Sequence, residues 1–481
     1  MLNLINDAWI PVIRAGGADV IRPDQIAEAN VERLDWPRAD LNLACMELLI
    51  GLVYLAHPCF NRTTPPGAAT LRAALAPLSP AFNLLGDGPL FLQDMDPLEG
   101  EPNPPDMLFI DSAGASTAKK NADLMVRRGR YEGLPLPLAA MALFAMQAFA
   151  PSGGAGNRTS MRGGGPMVTL VRPEADGLWP LIWANVPHGT PLPADDLHKL
   201  PWMRETVSSK PKGVVMVPEA GSQSAPAPEV FFGQPRRLRL AENGGVVTGV
   251  IQRPYGNNYQ QWLHPLSPYY KDAKGQVLPV HPKPGVFGYR NWRGVLLTSE
   301  KGLKPQVLTT YLKDVKAAKC SLIVAGWAMD NMKPQDFIWS EQPVFTLSEE
   351  TEFAATDMVE AAEAAGFALR VCVTEGVDGN RALAALEGFY RATQIPFEAL
   401  LAKMAADGAV RHDAWLKAMR KAALAAFDAA VLPGLPDLAE SKREAAIRAR
   451  GKLLGAFSGF GLGKKIFTPL GLVAKRKKET V

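Results

Sequence analysis

Six glycines and two arginines stand in one short stretch, Ala150 to Pro166, which reads A-P-S-G-G-A-G-N-R-T-S-M-R-G-G-G-P. Glycine lets backbone approach a ligand where a side chain would collide, and it reaches positive φ at little steric cost. Two arginines in such a loop point to a polyanion; a mobile surface loop is the competing reading. Elsewhere the chemistry is sparse. The histidines, His57, His188, His198, His264, His281 and His412, stand apart, four of them beside a proline. No H-E-x-x-H string offers a zinc site, no G-x-S-x-G an acyl-transfer elbow and no G-x-x-x-x-G-K-[ST] a nucleotide cradle. Asp94 and Asp96 in Q-D-M-D-P can hold a divalent cation or simply face solvent in a turn. Cys45, Cys59, Cys320 and Cys372 are too widely spaced for a C-x-x-C zinc site and too few for a disulfide scaffold, so they read as buried thiols.

The elements that must position the loop follow from hydrophobic period. Helical spacing recurs at about 41–56, 68–76, 136–149 and 305–318, so the glycine loop leaves the end of a helix. Short β-like runs stand at Leu4–Ile5, Trp9–Ile13, Met167–Val171, Leu181–Ala184, Gly213–Val217, Val246–Gln252 and Gly294–Thr298. After about residue 350 the texture turns to Ala, Glu, Lys and Leu, with helix spacing at 353–374, 381–406, 412–431 and 437–457. Trp415, Met419, Phe427 and Val431 form one buried stripe of the third of these helices, and Pro396 should kink or split the second. The fold class is therefore α+β: a large mixed α/β N-terminal domain with long loops over 1–350, followed by a C-terminal four-helix bundle over 351–481.

The 481 residues carry a net charge of only +4, which identifies no partner by itself. Its distribution says more: from Asp437 onward eleven Lys/Arg face four acids, a surplus of +7 that leaves −3 for the rest. Such a tail is a solvated end or a phosphate contact. The opening M-L-N-L-I-N-D-A-W has neither the basic start nor the apolar core of a signal peptide, and a cytoplasmic location without membrane contact is expected.

Several strings, in order, resemble one family: N-D-A-W-I-P-V at Asn6 to Val12, P-L-F-L-Q at Pro89 to Gln93, the glycine loop, and W-L-H-P-L-S-P-Y-Y at Trp262 to Tyr270. Gly326–Trp327 before a short polar hairpin and the four C-terminal helices complete the likeness. The family is the large subunit, often called CasA, of the type I-E CRISPR surveillance complex Cascade. The resemblance implies a noncatalytic subunit that recognises the protospacer-adjacent motif from the minor groove of double-stranded target DNA. It further implies that the subunit promotes duplex opening and R-loop formation and helps recruit a helicase-nuclease. The N-terminal domain would then serve motif recognition and guide docking, and the bundle assembly with other subunits and contact with the opened strands.

Residue by residue, the resemblance sets Gly154, Ala155 and Gly156 against the minor groove, with Arg158 and Arg162 on phosphates; bracing of the loop by Arg162 is the other reading. Alanine stands at 155 where the family usually has glycine. Asp330, Asn331 and Met332 fall at the family's wedge, Asn331 shorter than the usual glutamine and Asp330 of a sign disfavoured in the groove. Arg253 fits the family's basic groove residue, with Lys271 and Lys274 as substitutes on phosphate. Ser112 to Arg130 looks like the loop that docks on the 5′ end of the CRISPR guide RNA and the adjoining backbone subunit. There Leu124, Met125 and Val126 would form its apolar tip, and Lys119, Lys120, Arg127, Arg128 and Arg130 its charge. Pro135 and Leu138 occupy places where some relatives carry paired cysteines, so neither metal nor cofactor is expected. A stand-alone phosphate-binding nuclease, a nucleotide-dependent enzyme and a structural scaffold without groove contact are the rival readings.

Overall fold

A computed structural model describes residues 2–112, 119–120, 127, 129–154, 156–218, 225–376, 379–436 and 439–474. The chain forms two compact units: Met1–Val286 with Pro305–Gln342, and Phe287–Lys304 with Pro343–Val481. The first is built round α1 (Ala39–Ala56), a helix of mean hydropathy 1.6 whose residues are 89% buried. Length and composition alone would let it cross a membrane, yet it serves as the core helix, with α2 (Ala68–Leu75) and α3 (Leu136–Phe149) packed against it. Strands β1 (Ile10–Arg14), β2 (Gly17–Ile21) and β3 (Val31–Leu34) form an antiparallel sheet in the order β2-β1-β3.

Two further antiparallel sheets matter for function. In one, β4 (Leu134–Pro135) and β6 (Arg237–Asn243) flank β7 (Val246–Arg253). In the other, β5 (Val168–Pro173) pairs with the first strand of a hairpin, Cys320–Asp330, whose second strand is Lys333–Pro343. Register there runs from Cys320↔Pro173 to Ala325↔Val168. The hairpin strand therefore continues past the start of β5, alongside the loop that leads into it. Leu181–Ala184, expected extended, belongs to helix α4 (Leu178–Ala184), because its apolar run buries Trp179, Ile182 and Trp183 by helical spacing. Gly213–Val217 makes only an isolated bridge from Met216 to Tyr259, and Gly294–Thr298 one from Arg293 to Leu297. Helix α5 (Gln306–Asp314) is shorter than its periodicity implied.

The second unit holds α6 (Glu349–Gly376), α7 (Gly379–Asp407), α8 (His412–Val431) and α9 (Glu440–Ala456). These match the expected four helices, and Trp415, Met419, Phe427 and Val431 are fully buried as their stripe required. Helix α7 runs unbroken through Pro396, contrary to the expected interruption. A boundary at 350 also assigned 287–304 to the N-terminal domain, whereas that segment packs with the helices. Tyr289 stacks on Phe397 at 4.5 Å, meets Trp415 edge-on at 5.5 Å and shares a 2.8 Å hydrogen bond with Thr393. Its burial of aromatic surface explains the transfer.

Trp415 is fully buried and donates its indole N–H to the Met358 carbonyl at 2.7 Å. Trp415→Ala should destabilise the second unit by about 3–5 kcal/mol, read as the loss of the corresponding transition in chemical denaturation.

Candidate nucleic-acid interface

Overhang of the Cys320–Asp330 strand brings two regions far apart in sequence into contact. A Cβ on Gly326 would lie 2.3 Å from the Pro166 carbonyl oxygen, and one on Gly165 would lie 2.4 Å from that of Trp327. Both positions must be glycine for strand and loop to approach so closely. Gly164 lies between Pro151 and the Met332 sulfur. The hairpin turns at Asn331 (φ 47°) and Met332 (φ 63°), both in the left-handed region, as a two-residue turn between twisted strands requires. Asparagine tolerates that conformation; methionine holds it at a cost of roughly 1–2 kcal/mol. Asp330, Asn331 and Met332 are all exposed, and Asn331 Nδ2 donates to Asp330 Oδ1 at 3.2 Å.

The front half of the glycine loop is a separate tight turn. Asn157 N donates to the Gly154 carbonyl at 2.8 Å, with Gly154 at φ +66° and Gly156 at φ +83°. Ala155 lies outside the described residues. Gly154 is exposed, and a Cβ there would meet none of the described residues within 4 Å. Gly156 differs: the Tyr255 ring lies where its Cβ would be, and Tyr255 N donates to its carbonyl at 3.0 Å.

Successive strand side chains point to opposite faces. At the end of β7 this rule assigns the loop to Gln252, whose Nε2 donates to Asn157 Oδ1 at 3.2 Å. Arg253, expected in the groove, is turned to the other face, its guanidinium packed against Gly100 and donating to the Gln252 carbonyl at 3.1 Å. Lys271 and Lys274 are exposed at strand β8 (Tyr269–Lys271) and in the turn toward β9 (Val277–Pro279).

Both loop arginines have internal partners. Arg158 donates Nε to Ser209 Oγ at 2.8 Å and Nη2 to the Ser209 carbonyl at 2.9 Å. Arg162 is 2% exposed and does not meet a phosphate from that position. Its Nη2 donates to Glu47 Oε1 of α1 at 2.5 Å, its Nη1 to Ser267 Oγ at 3.2 Å, and its guanidinium lies over Phe149. Of the two roles open to it from sequence, the structure shows bracing. Burial opposes ionisation of Glu47, but the Arg162 and His264 side chains beside it hold its carboxyl below the ordinary range. Burial, then the Arg162 charge, pushes the His264 imidazole down to about 4.

In the expected docking loop, Lys119, Lys120 and Arg127 are exposed, while Leu124, Met125, Val126 and Arg128 lie outside the described residues. Arg130 is not free for RNA: it pairs with Asp111 through two 2.9 Å bonds and packs on Phe109 and Tyr131. Asp106 accepts from the backbone N–H of Arg130 and Tyr131, and Arg38 pairs with Asp111 from the other side. These residues clamp the base of the loop. Asp94 is buried and paired with Arg237, which also holds Asp96, so that pair is an ion-pair anchor. Sequence reading also missed a cluster of potential metal ligands, Cys59, His188 and Asp314, whose ligand atoms lie within 4.8 Å of one another. There His188 Nε2 is 2.8 Å from Asp314 Oδ2, and Arg62 approaches the same oxygen at 3.4 Å, so the carboxylate charge is already compensated.

In the unfolded chain the Glu47 carboxyl and the His264 ring take up protons at higher pH than they do in the fold. Their contribution to stability is therefore complete at neutral pH and lost on acidification, His264 first, from about 6.5 toward its folded value of about 4. The melting temperature should fall across that window, with a shallower slope in His264→Gln. Glu47→Gln, which leaves the Arg162 charge buried and unpaired, should cost about 3–5 kcal/mol at neutral pH.

The fold matches CasA (Cse1) of Thermus thermophilus with a TM-score of 0.69 at 19% identity, covering 94% of this chain and 99% of that one. It matches the CRISPR-associated protein Cse1 of Acidimicrobium ferrooxidans at 0.67 and 17% identity, covering 98% of each. A chain of a CRISPR RNA-guided surveillance complex matches at 0.68 and 15% identity, over 94% of this chain and 99% of that one. The sequence model of CRISPR-associated protein Cse1 matches residues 3–426. The chain therefore belongs to the Cse1 family.

Proposed function

We propose that this protein is the noncatalytic large subunit of a type I-E Cascade, that it reads the protospacer-adjacent motif from the minor groove, and that it starts R-loop formation there. The observation that carries the reading is the junction at Gly164, where the glycine loop and the exposed, left-handed hairpin tip come together from well-separated parts of the N-terminal unit's sequence. A groove about 6 Å wide admits backbone more readily than bulky side chains. Gly154 offers such a surface, with open space in front of it. The hairpin supplies the wedge. Asn331 would part the first base pair, and Asp330, hydrogen-bonded to the Asn331 amide, orients that amide while Met332 fills the groove beside it. Unstacking costs roughly a few kcal/mol, offset by groove contacts and guide pairing.

Lys271 and Lys274 supply phosphate contacts, and Lys119, Lys120 and Arg127 mark the side that docks on the 5′ end of the guide RNA and the backbone subunit. The helical unit faces the small subunits and the opened strands, and a helicase-nuclease is recruited afterwards. Arg253 supports the sheet beneath the loop, and Gln252 takes its place as the β7 side chain nearest the turn.

The geometry selects the variants. Gly154→Asn keeps a residue that tolerates left-handed φ and projects a side chain into open space. In the complex assembled with guide RNA, it should lower motif-dependent affinity about tenfold without shifting the melting temperature; unchanged affinity removes groove entry. Asn331→Gly preserves the hairpin turn while deleting the amide. Strand-separation kinetics should slow by about tenfold, with initial affinity changed less than about twofold; equal opening rates remove the wedge.

A further inference from the structure

Outside the glycine loop and the hairpin, Cys59, His188 and Asp314 of the first unit bring three potential ligand atoms within 4.8 Å of one another. Cys59 follows the end of α1, His188 lies in the loop after α4, and Asp314 closes α5. Backbone sets the first two in place, since Cys59 N donates to the Pro187 carbonyl at 3.0 Å. Tetrahedral zinc, at about 2.3 Å from sulfur and about 2.0 Å from nitrogen and oxygen, sets its ligand atoms roughly 3.3–3.6 Å apart. A cluster no wider than 4.8 Å closes on one such ion with small side-chain movements.

Hydrogen bonding singles out the imidazole. His188 Nδ1 lies 2.6 Å from the Cys59 carbonyl oxygen, which only accepts, so Nδ1 carries a proton. Nε2 faces Asp314 Oδ2 at 2.8 Å, and a carboxylate also only accepts. Two acceptors therefore bracket a ring whose neutral form has one N–H. Either a second proton or a metal cation must stand between Nε2 and Oδ2. A carbonyl-anchored Nδ1–H that presents Nε2 to an ion is the arrangement metal-binding histidines adopt. A hydrogen-bonded ion pair makes no use of the Cys59 sulfur beside it, whereas a metal ion uses all three groups.

Arg62, which compensates the Asp314 charge, is held chiefly by backbone. Its Nη1 donates to the Trp183 and Val186 carbonyls at 2.6 and 2.7 Å, while its Nε contact with Asp314 Oδ2 is 3.4 Å long. Its positive charge beside the site is offset by the two anionic ligands, thiolate and carboxylate. Access comes from the imidazole side, where the His188 side chain is 41% exposed.

We infer that Cys59, His188 and Asp314 form a zinc site whose fourth position is taken by water. As the ion binds, the thiol loses its proton to solvent and the carboxylate turns from the imidazole N–H to the metal. The ion joins the end of α5 to the end of α1. Residues 315–319 alone separate Asp314 from Cys320, where the hairpin strand begins, so the site anchors the root of that strand. It is distinct from the paired-cysteine positions at Pro135 and Leu138, and it does not depend on the loop's reading of DNA.

The test uses the full chain stripped with a chelator, cobalt(II) as a spectroscopic probe and zinc chloride. Cobalt should bind at one equivalent with a thiolate-to-metal charge-transfer band, and zinc should displace it. The band should persist in Cys320→Ser and vanish in Cys59→Ser. His188→Ala, at a half-exposed position, should weaken zinc binding by about a hundredfold or more. Zinc should raise the melting temperature of the wild type by a few degrees and leave that of His188→Ala unchanged. Absence of the band in the wild type, its survival in Cys59→Ser, or equal thermal protection of wild type and His188→Ala each overturns the site and leaves an ion pair. The thermal comparison decides the matter even if Cys59→Ser fails to fold.

Discussion

Two backbone-to-backbone approaches govern the arrangement: Gly326 against the Pro166 carbonyl and Gly165 against that of Trp327. A methyl group at either place would push strand and loop apart, and the overhanging hairpin would no longer lie along the loop before β5. Register does the rest. Because Ala325 pairs with Val168, the residues beyond Ala325 have no partner on the β5 side, where the loop lies against them, while the second hairpin strand pairs with them on the other. The hairpin tip is therefore fixed by packing against a segment with few side chains, and its position is as well defined as that segment is.

The loop in turn is defined from the core. Arg162 carries a charge into the interior because Glu47 of α1 and Ser267 receive it. A buried pair of this kind adds little net stability compared with apolar packing, but removing either partner is costly. Its effect is conformational: it ties the middle of the glycine loop to the central helix and leaves the Gly153–Asn157 turn as the part that faces outward. Arg236 differs in having no acid among the described residues; its Nη2 donates to the Pro151 carbonyl and so ties the start of the loop to the β6 strand.

Much of this fold was legible in the sequence, because amphipathic period and breakers are local properties. The helices at 41–56, 136–149 and 412–431 show this, as does the stripe through Trp415. Leu181–Ala184 misled because a short apolar run has no clear period. Pro396 left α7 continuous: Thr393 and Gln394, one turn before it, are held by Tyr289, and that contact depends on a segment about a hundred residues upstream. The site was legible in its elements and not in its side chains. Motif order located the loop and the hairpin, but which way Arg253 points depends on strand phase, and the partner of Arg162 stands 115 residues away. Arg130 was hidden in the same way, since neither Asp111 nor the Phe109 and Tyr131 rings advertise a clamp.

A glycine-rich string is thus not one signal. Gly163, Gly164 and Gly165 are spaced for the protein's own packing, against His281, Pro151 and Trp327, and Gly156 gives room to Tyr255. Among the described glycines of the loop only Gly153 and Gly154 are exposed, and they differ in turn: a Cβ on Gly153 would meet Arg236 and Asn157, whereas one on Gly154 would meet none of the described residues within 4 Å. The direction in which an absent Cβ would have pointed is what separates a glycine required by the fold from one available to a ligand. By that criterion Gly154 alone among the described glycines of the loop is left available to a ligand, a surface much narrower than the sequence motif. Under the proposed reading, affinity must then come from groups round Gly154, and the exposed hairpin tip bears on recognition as much as the glycine itself.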